Sequence, residues 1–122
     1  SVYIAPGGKQ MLFRKGAARE ICVAVTDDPP EDGCRPSVNV LFRSAAKIFG
    51  GDVITLVLTG MGSDGVKGLE DLKKAGAYVI AQDEATSVVW GMPGNAVSSG
   101  CVDKVLSPGE IPGEIISIVK GS

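Results

Sequence analysis

The chain has no histidine. No Ser-His-Asp or Cys-His arrangement can therefore be completed from its own residues, and the commonest zinc ligand is missing. Aromatics make up 5% and no basic stripe forms among 12 scattered Lys and Arg, so nucleic-acid binding is not supported. The longest apolar run falls well short of the ~18 residues of a membrane span, and no signal-peptide pattern opens the chain. The three cysteines (Cys22, Cys34, Cys101) lie far apart without a CxxC, which fits reduced thiols in a cytoplasmic protein and no metal site.

What remains is 122 residues of net charge −2, the size of one domain. The most informative stretch is Val53–Gly65, VITLVLTGMGSDG. Its apolar run reads as a strand buried on both faces, and it breaks into three glycines (Gly60, Gly62, Gly65) around Asp64. Open α/β sheets place their chemistry at such a strand end.

The spacing predicts strands at Val2–Ala5 and Met11–Arg14, paired as a hairpin, and a third at Glu20–Thr26. A Pro-rich loop fills Asp27–Pro36, and Ser37 reads as the N-cap of a helix that ends at Gly50-Gly51. Asn39, Arg43 and Lys47, spaced by four, form its polar face. After the Val53–Thr59 strand come a helix from about Ser63 to Ala75 and a short strand at Tyr78–Ala81. A turn at Gly91–Gly94, a short helix or turn at Asn95–Ser99, a strand at Cys101–Leu106 and a final helix to Lys120 complete the pattern. Glu84–Trp90 is ambiguous. The expected fold is α/β, a mostly parallel sheet with helices on both faces and an N-terminal antiparallel hairpin. The opening strand and functional loop of such a sheet are missing, so residues 1–122 are expected to be one domain that lacks its first strands.

The glycine turn admits three readings. Gly60-Met61-Gly62-Ser63-Asp64-Gly65 satisfies G-x-G-x-x-G, with Asp83 and Glu84 about 20 residues on, as in a dinucleotide site. Against this, Asp64 would sit where a pyrophosphate belongs. Alternatively, Asp64 is itself functional and accepts the N–H of an imidazole, the third role in a triad. The plainest reading is that Asp64 caps the helix.

In order along the chain, VYIAPG (Val2–Gly7), RPSVNVLF (Arg35–Phe42), LTGMGSDG (Leu58–Gly65), AGAYVIA (Ala75–Ala81) and QDEATSVVWGMP (Gln82–Pro93) resemble the C-terminal part of the catalytic domain of bacterial chemotaxis protein-glutamate methylesterases. The resemblance implies a cytoplasmic hydrolase of signal transduction that removes γ-glutamyl methyl esters from chemoreceptors and in many members deamidates glutamines. Its partners would be methylated receptor helices and an upstream response-regulator receiver domain. No cofactor or metal is implied. Asp64 matches the family's triad aspartate, and Met61, with Gly60 and Gly62, the lining of that site. Asn39 stands where the family commonly has an acid. The family's serine and histidine motifs are not in this sequence, so the chain alone is expected to be inactive. Two further expectations are an exposed sheet edge that pairs with a second copy and, in another class, a non-catalytic interaction piece.

Overall fold

The computed structural model describes residues 1–121. The described residues form β1 (Gln10–Lys15), β2 (Ile21–Thr26), α1 (Val38–Phe49), β3 (Ile54–Val57), α2 (Val66–Ala75), β4 (Tyr78–Gln82), α3 (Gly91–Ser98), β5 (Lys104–Leu106) and α4 (Ile111–Gly121). They are an α/β set with an antiparallel hairpin and a parallel three-stranded sheet, divided into two units. The first holds Ser1–Val53 and Asp64–Ala77; the second holds Ile54–Ser63 and the chain from Tyr78 onward.

In the first unit, β1 and β2 pair from Gln10↔Thr26 to Lys15↔Ile21. The hairpin is therefore not the one the sequence suggested. Val2–Ala5 is not a strand; Val2 and Ile4 are 92% and 87% exposed. Pro6-Gly7-Gly8 separates this segment from β1, which takes its partner across the tight Gly16–Glu20 loop, closed by the Gly16 N–H on the Glu20 carbonyl. Helix α1 packs on β1 and on α2. Phe13 and Phe49 meet edge to face with ring centroids 5.0 Å apart, and the Phe13 N–H donates to Ser44 Oγ. Leu69 and Leu72 of α2 are fully buried. Asn39 is not on the polar face as expected: it is 1% exposed, and its Oδ1 accepts the Gly68 N–H at 2.8 Å. An amide side chain at this position joins α1 to the first turn of α2, a role the spacing by four conceals.

Helix α2 starts at Val66 rather than Ser63, because Gly65 takes a left-handed conformation (φ 102°) that closes a turn before the helix. It ends as expected, with Gly76 past its last turn.

In the second unit, β3, β4 and β5 are parallel in that order, with Ile54↔Tyr78 and Ile80↔Lys104 setting the registers. Val79, Ile80 and Ala81 of the central strand are wholly buried. The edge strand β3 buries Thr55 and Val57 but leaves Leu56 exposed, as is Leu58 just beyond it. The expectation of burial on both faces thus fails for β3: alternate residues point to opposite faces, and only the face that carries Thr55 and Val57 is covered. Gly91–Gly94 is the first turn of α3 instead of a separate turn, and Pro93 is tolerated there because a first-turn N–H needs no helical partner. The last strand is shorter than expected, Lys104–Leu106: the Asp103 carboxylate before it accepts the Val79 N–H at 2.8 Å.

Candidate active-site elements

Asp64 lies in the first unit and Gly60, Met61 and Gly62 in the second. In the first, the half-buried Asp64 carboxylate is held at both oxygens. Ser37 Oγ donates to Oδ1 at 2.8 Å, and the Val38 N–H donates to Oδ2 at 2.7 Å. Val38 is the first residue of α1, so Asp64 does cap a helix, but α1 rather than the α2 it precedes. Ser37 occupies the N-cap position without bonding its own helix through its side chain. A carboxylate on helix N-terminal donors is stabilised by the dipole and by charge-assisted hydrogen bonds. Two donors fix the plane of the carboxylate and leave further lone pairs on each oxygen. That is the requirement for an aspartate that must hold an imidazole in one tautomer.

In the second unit, the turn is fixed by the segment Gln82–Asn95. The Gly60 N–H donates to the Val89 carbonyl at 3.0 Å, and the Gly60 carbonyl accepts the Met92 N–H at 2.8 Å. Thr59 Oγ1 both donates to the Val89 carbonyl and accepts its N–H, and the Thr59 N–H donates to Gln82 Oε1 at 2.8 Å. Asn95 Nδ2 donates to the Gly62 carbonyl at 2.9 Å. Gly62 has φ 92°, which glycine adopts without strain. A Cβ on Gly91 would meet the Gly60 carbonyl oxygen at 3.0 Å and the Gly62 nitrogen at 3.2 Å, so α3 approaches the turn backbone to backbone. With the backbone so held, the Met61 side chain projects outward, 80% exposed.

These bonds count against dinucleotide binding. The first glycine has no free N–H, and in the first turn of α2 the Gly68 N–H is taken by Asn39. A pyrophosphate would have to displace both. Among the described residues no group of three or more His, Cys, Asp or Glu is placed to hold a metal ion.

Sequence reasoning passed over Ser37, Gln82 and Asn95 as site-supporting residues. Gln82 is 5% exposed and also donates through Nε2 to the Thr86 carbonyl at 3.0 Å. A lone polar residue ending an otherwise apolar strand (YVIAQ) was the available signal. Trp90 is half-buried, with its indole over Gly94.

A strand of a parallel sheet that runs into a glycine turn, as β3 does, is a feature of the α/β class, in which such strand ends carry sites. The CheB methylesterase family model matches residues 1–115, and the chain belongs to that family. Curated relatives include the protein-glutamate methylesterase/protein-glutamine glutaminase of Hydrogenovibrio crunogenus, 45% identical over 119 residues. The second enzyme of that name in Rhodospirillum rubrum is 53% identical over 105 residues. Those alignments cover 98% and 86% of this chain but 31% and 29% of the relatives, so the chain spans under a third of their length. The crystal structure of the Thermotoga maritima CheB methylesterase catalytic domain matches with TM-score 0.89 and 34% identity. That match covers 95% of this chain and 61% of that domain.

Proposed function

We propose that this chain is the aspartate-bearing portion of a protein-glutamate methylesterase that acts on bacterial chemoreceptors in the cytoplasm, with protein-glutamine deamidation as a second activity. The observation that carries the reading is the two-donor seat of Asp64, which holds an acceptor at the N-terminus of α1 within a segment belonging to the methylesterase family.

The chemistry is acyl transfer. A serine oxygen attacks the γ-glutamyl ester carbonyl while a histidine takes the serine proton. The histidine returns that proton to the leaving oxygen, methanol departs, and the acyl-enzyme remains. Water, deprotonated by the same histidine, attacks the acyl carbon and frees glutamate and serine. Asp64 accepts the other imidazole N–H, sets its tautomer and stabilises the imidazolium. Met61, with Gly60 and Gly62, lines the site. This chain has no histidine, so the base is not among its residues; nor is the serine motif that the family resemblance implies, and the 122 residues alone are inactive. Methylated receptor helices are the substrate, and a receiver domain is the regulatory partner in the whole protein.

Methanol release from methylated receptor tests this, using the full protein that carries this chain and its Asp64→Asn variant. A loss of about 10⁴ in turnover is expected, the scale seen when a triad aspartate is lost. Undiminished turnover by Asp64→Asn, or turnover by the isolated chain, would sink the reading.

A further inference from the structure

Asp64 ends a line of buried side chains that begins on β1. Gln10 is wholly buried; its Nε2 donates to the carbonyls of Pro29 and Cys34 at 3.1 and 3.3 Å, and its Oε1 accepts the Ser37 N–H at 2.8 Å. Ser37 is 2% exposed and passes the connection on, its Oγ donating to Asp64 Oδ1. An N-cap serine ordinarily turns its oxygen onto an N–H of its own helix. Here the hydroxyl makes no such bond, and the Asp64 carboxylate takes the Val38 N–H in its place. The hydroxyl is thereby committed to the carboxylate.

We propose that Ser37, held in place by Gln10, is a positioning residue for Asp64; this rests on the methylesterase reading. The Val38 N–H alone fixes Oδ2 but leaves the carboxylate free to pivot about that bond. The Ser37 hydroxyl, gripping Oδ1, removes the pivot. An aspartate that must meet an imidazole N–H within a few tenths of an ångström loses rate when its plane turns, and misplacement on this scale costs about 10- to 100-fold. Ser37 does not touch the substrate, so the loss falls on kcat and leaves KM in place. Gln10 acts one step earlier, by fixing the residue that carries the hydroxyl.

The test is steady-state methanol release by the full protein with Ser37→Ala, Ser37→Cys, Asp64→Asn, and Ser37→Ala combined with Asp64→Asn, each with its unfolding midpoint. The proposal expects Ser37→Ala to lower kcat about 10- to 100-fold at unchanged KM, and Ser37→Cys, a weaker donor of similar volume, to fall between it and wild type. In the Asp64→Asn background, Ser37→Ala should change the residual rate less than twofold, because its effect runs through the ionised carboxylate. Should Ser37→Ala not fold, Ser37→Cys carries the same kcat-against-KM comparison. Full activity of Ser37→Ala beside an inactive Asp64→Asn overturns the positioning role and leaves the methylesterase reading standing. An equal loss from Ser37→Ala in both backgrounds also overturns it, since the effect is then structural. An active Asp64→Asn overturns the methylesterase reading itself.

Discussion

At Gly68 the backbone of α2 lies close against α1, and replacing this glycine with alanine sets two effects of opposite sign against each other. Removing a glycine from a helix interior favours folding by about 1 kcal/mol. The added Cβ, however, would lie 2.7 Å from the Cβ of Phe42, 3.1 Å from the Cα of Asn39 and 3.2 Å from its carbonyl oxygen. Two of these three atoms are α1 backbone, and no rotamer change moves them. Carbon atoms pack best about 3.5–4.0 Å apart, so α1 must withdraw by about 1 Å. Overpacking of this kind costs about 1–3 kcal/mol. The withdrawal also stretches the bond from the Gly68 N–H to Asn39 Oδ1, now 2.8 Å, which is worth about 1 kcal/mol more. The clash and the lost bond outweigh the propensity gain, and Gly68→Ala is expected to destabilise by about 1–3 kcal/mol. Gly113→Ala in α4 is the control: nothing lies within 4 Å of its Cβ, so only the propensity gain, up to about 1 kcal/mol, remains. Urea unfolding of both variants measures the difference. If Gly68→Ala proves as stable as wild type while Gly113→Ala gains, the close approach of α1 and α2 is wrong.

Both oxygens of Glu31 accept from Arg43 at 2.9 Å, and these hydrogen bonds hold its carboxyl below its ordinary 4.5. A depressed folded-state value stabilises the protein above the unfolded value and is lost as pH falls through the lower one. The unfolding midpoint should therefore drop below pH 4.5, and less steeply in Arg43→Gln; identical profiles would refute this. Asp103→Ala strips the buried Val79 N–H of its acceptor and should cost about 1–3 kcal/mol, with faster hydrogen exchange at that amide as the check. We also expect self-association through the uncovered β3 edge, where Leu56 and Leu58 are exposed, read by light scattering over a concentration series. A concentration-independent monomer counts against it.

The elements with strong periodic signals were legible. The Gly50-Gly51 stop of α1, the end of α2 at Ala75 and the alternation of helix and strand after Ser37 came directly from spacing and glycine placement. The errors have local causes. Val2–Ile4 has the composition of a strand, but composition cannot supply a partner, and none pairs with it among the described residues. Asn39 sits in register with Arg43 and Lys47, and periodicity cannot tell a solvated amide from one buried against a neighbouring helix. At the candidate site, Asp64 stood out because a carboxylate among glycines is conspicuous. Its seat did not, because Ser37 and Gln10 lie 27 and 54 positions away along the chain, and only folding sets them beside it.

The same seat shows why capping and catalysis need not compete for Asp64, and why one substitution separates them. An asparagine at this position has one acceptor oxygen and one NH₂ group. Turned with its oxygen toward the Val38 N–H, it places the NH₂ toward Ser37, whose hydroxyl can rotate to accept where it now donates. Both contacts re-form, so the cap survives nearly intact. What disappears is the negative charge and the second acceptor oxygen, now an NH₂ that repels an imidazole N–H, and these serve the chemistry alone. Alanine, in contrast, removes the cap and the charge together. A folded, stable Asp64→Asn protein with little turnover, beside a destabilised Asp64→Ala, would therefore assign the side chain's capping bonds to the fold and its charge to the reaction.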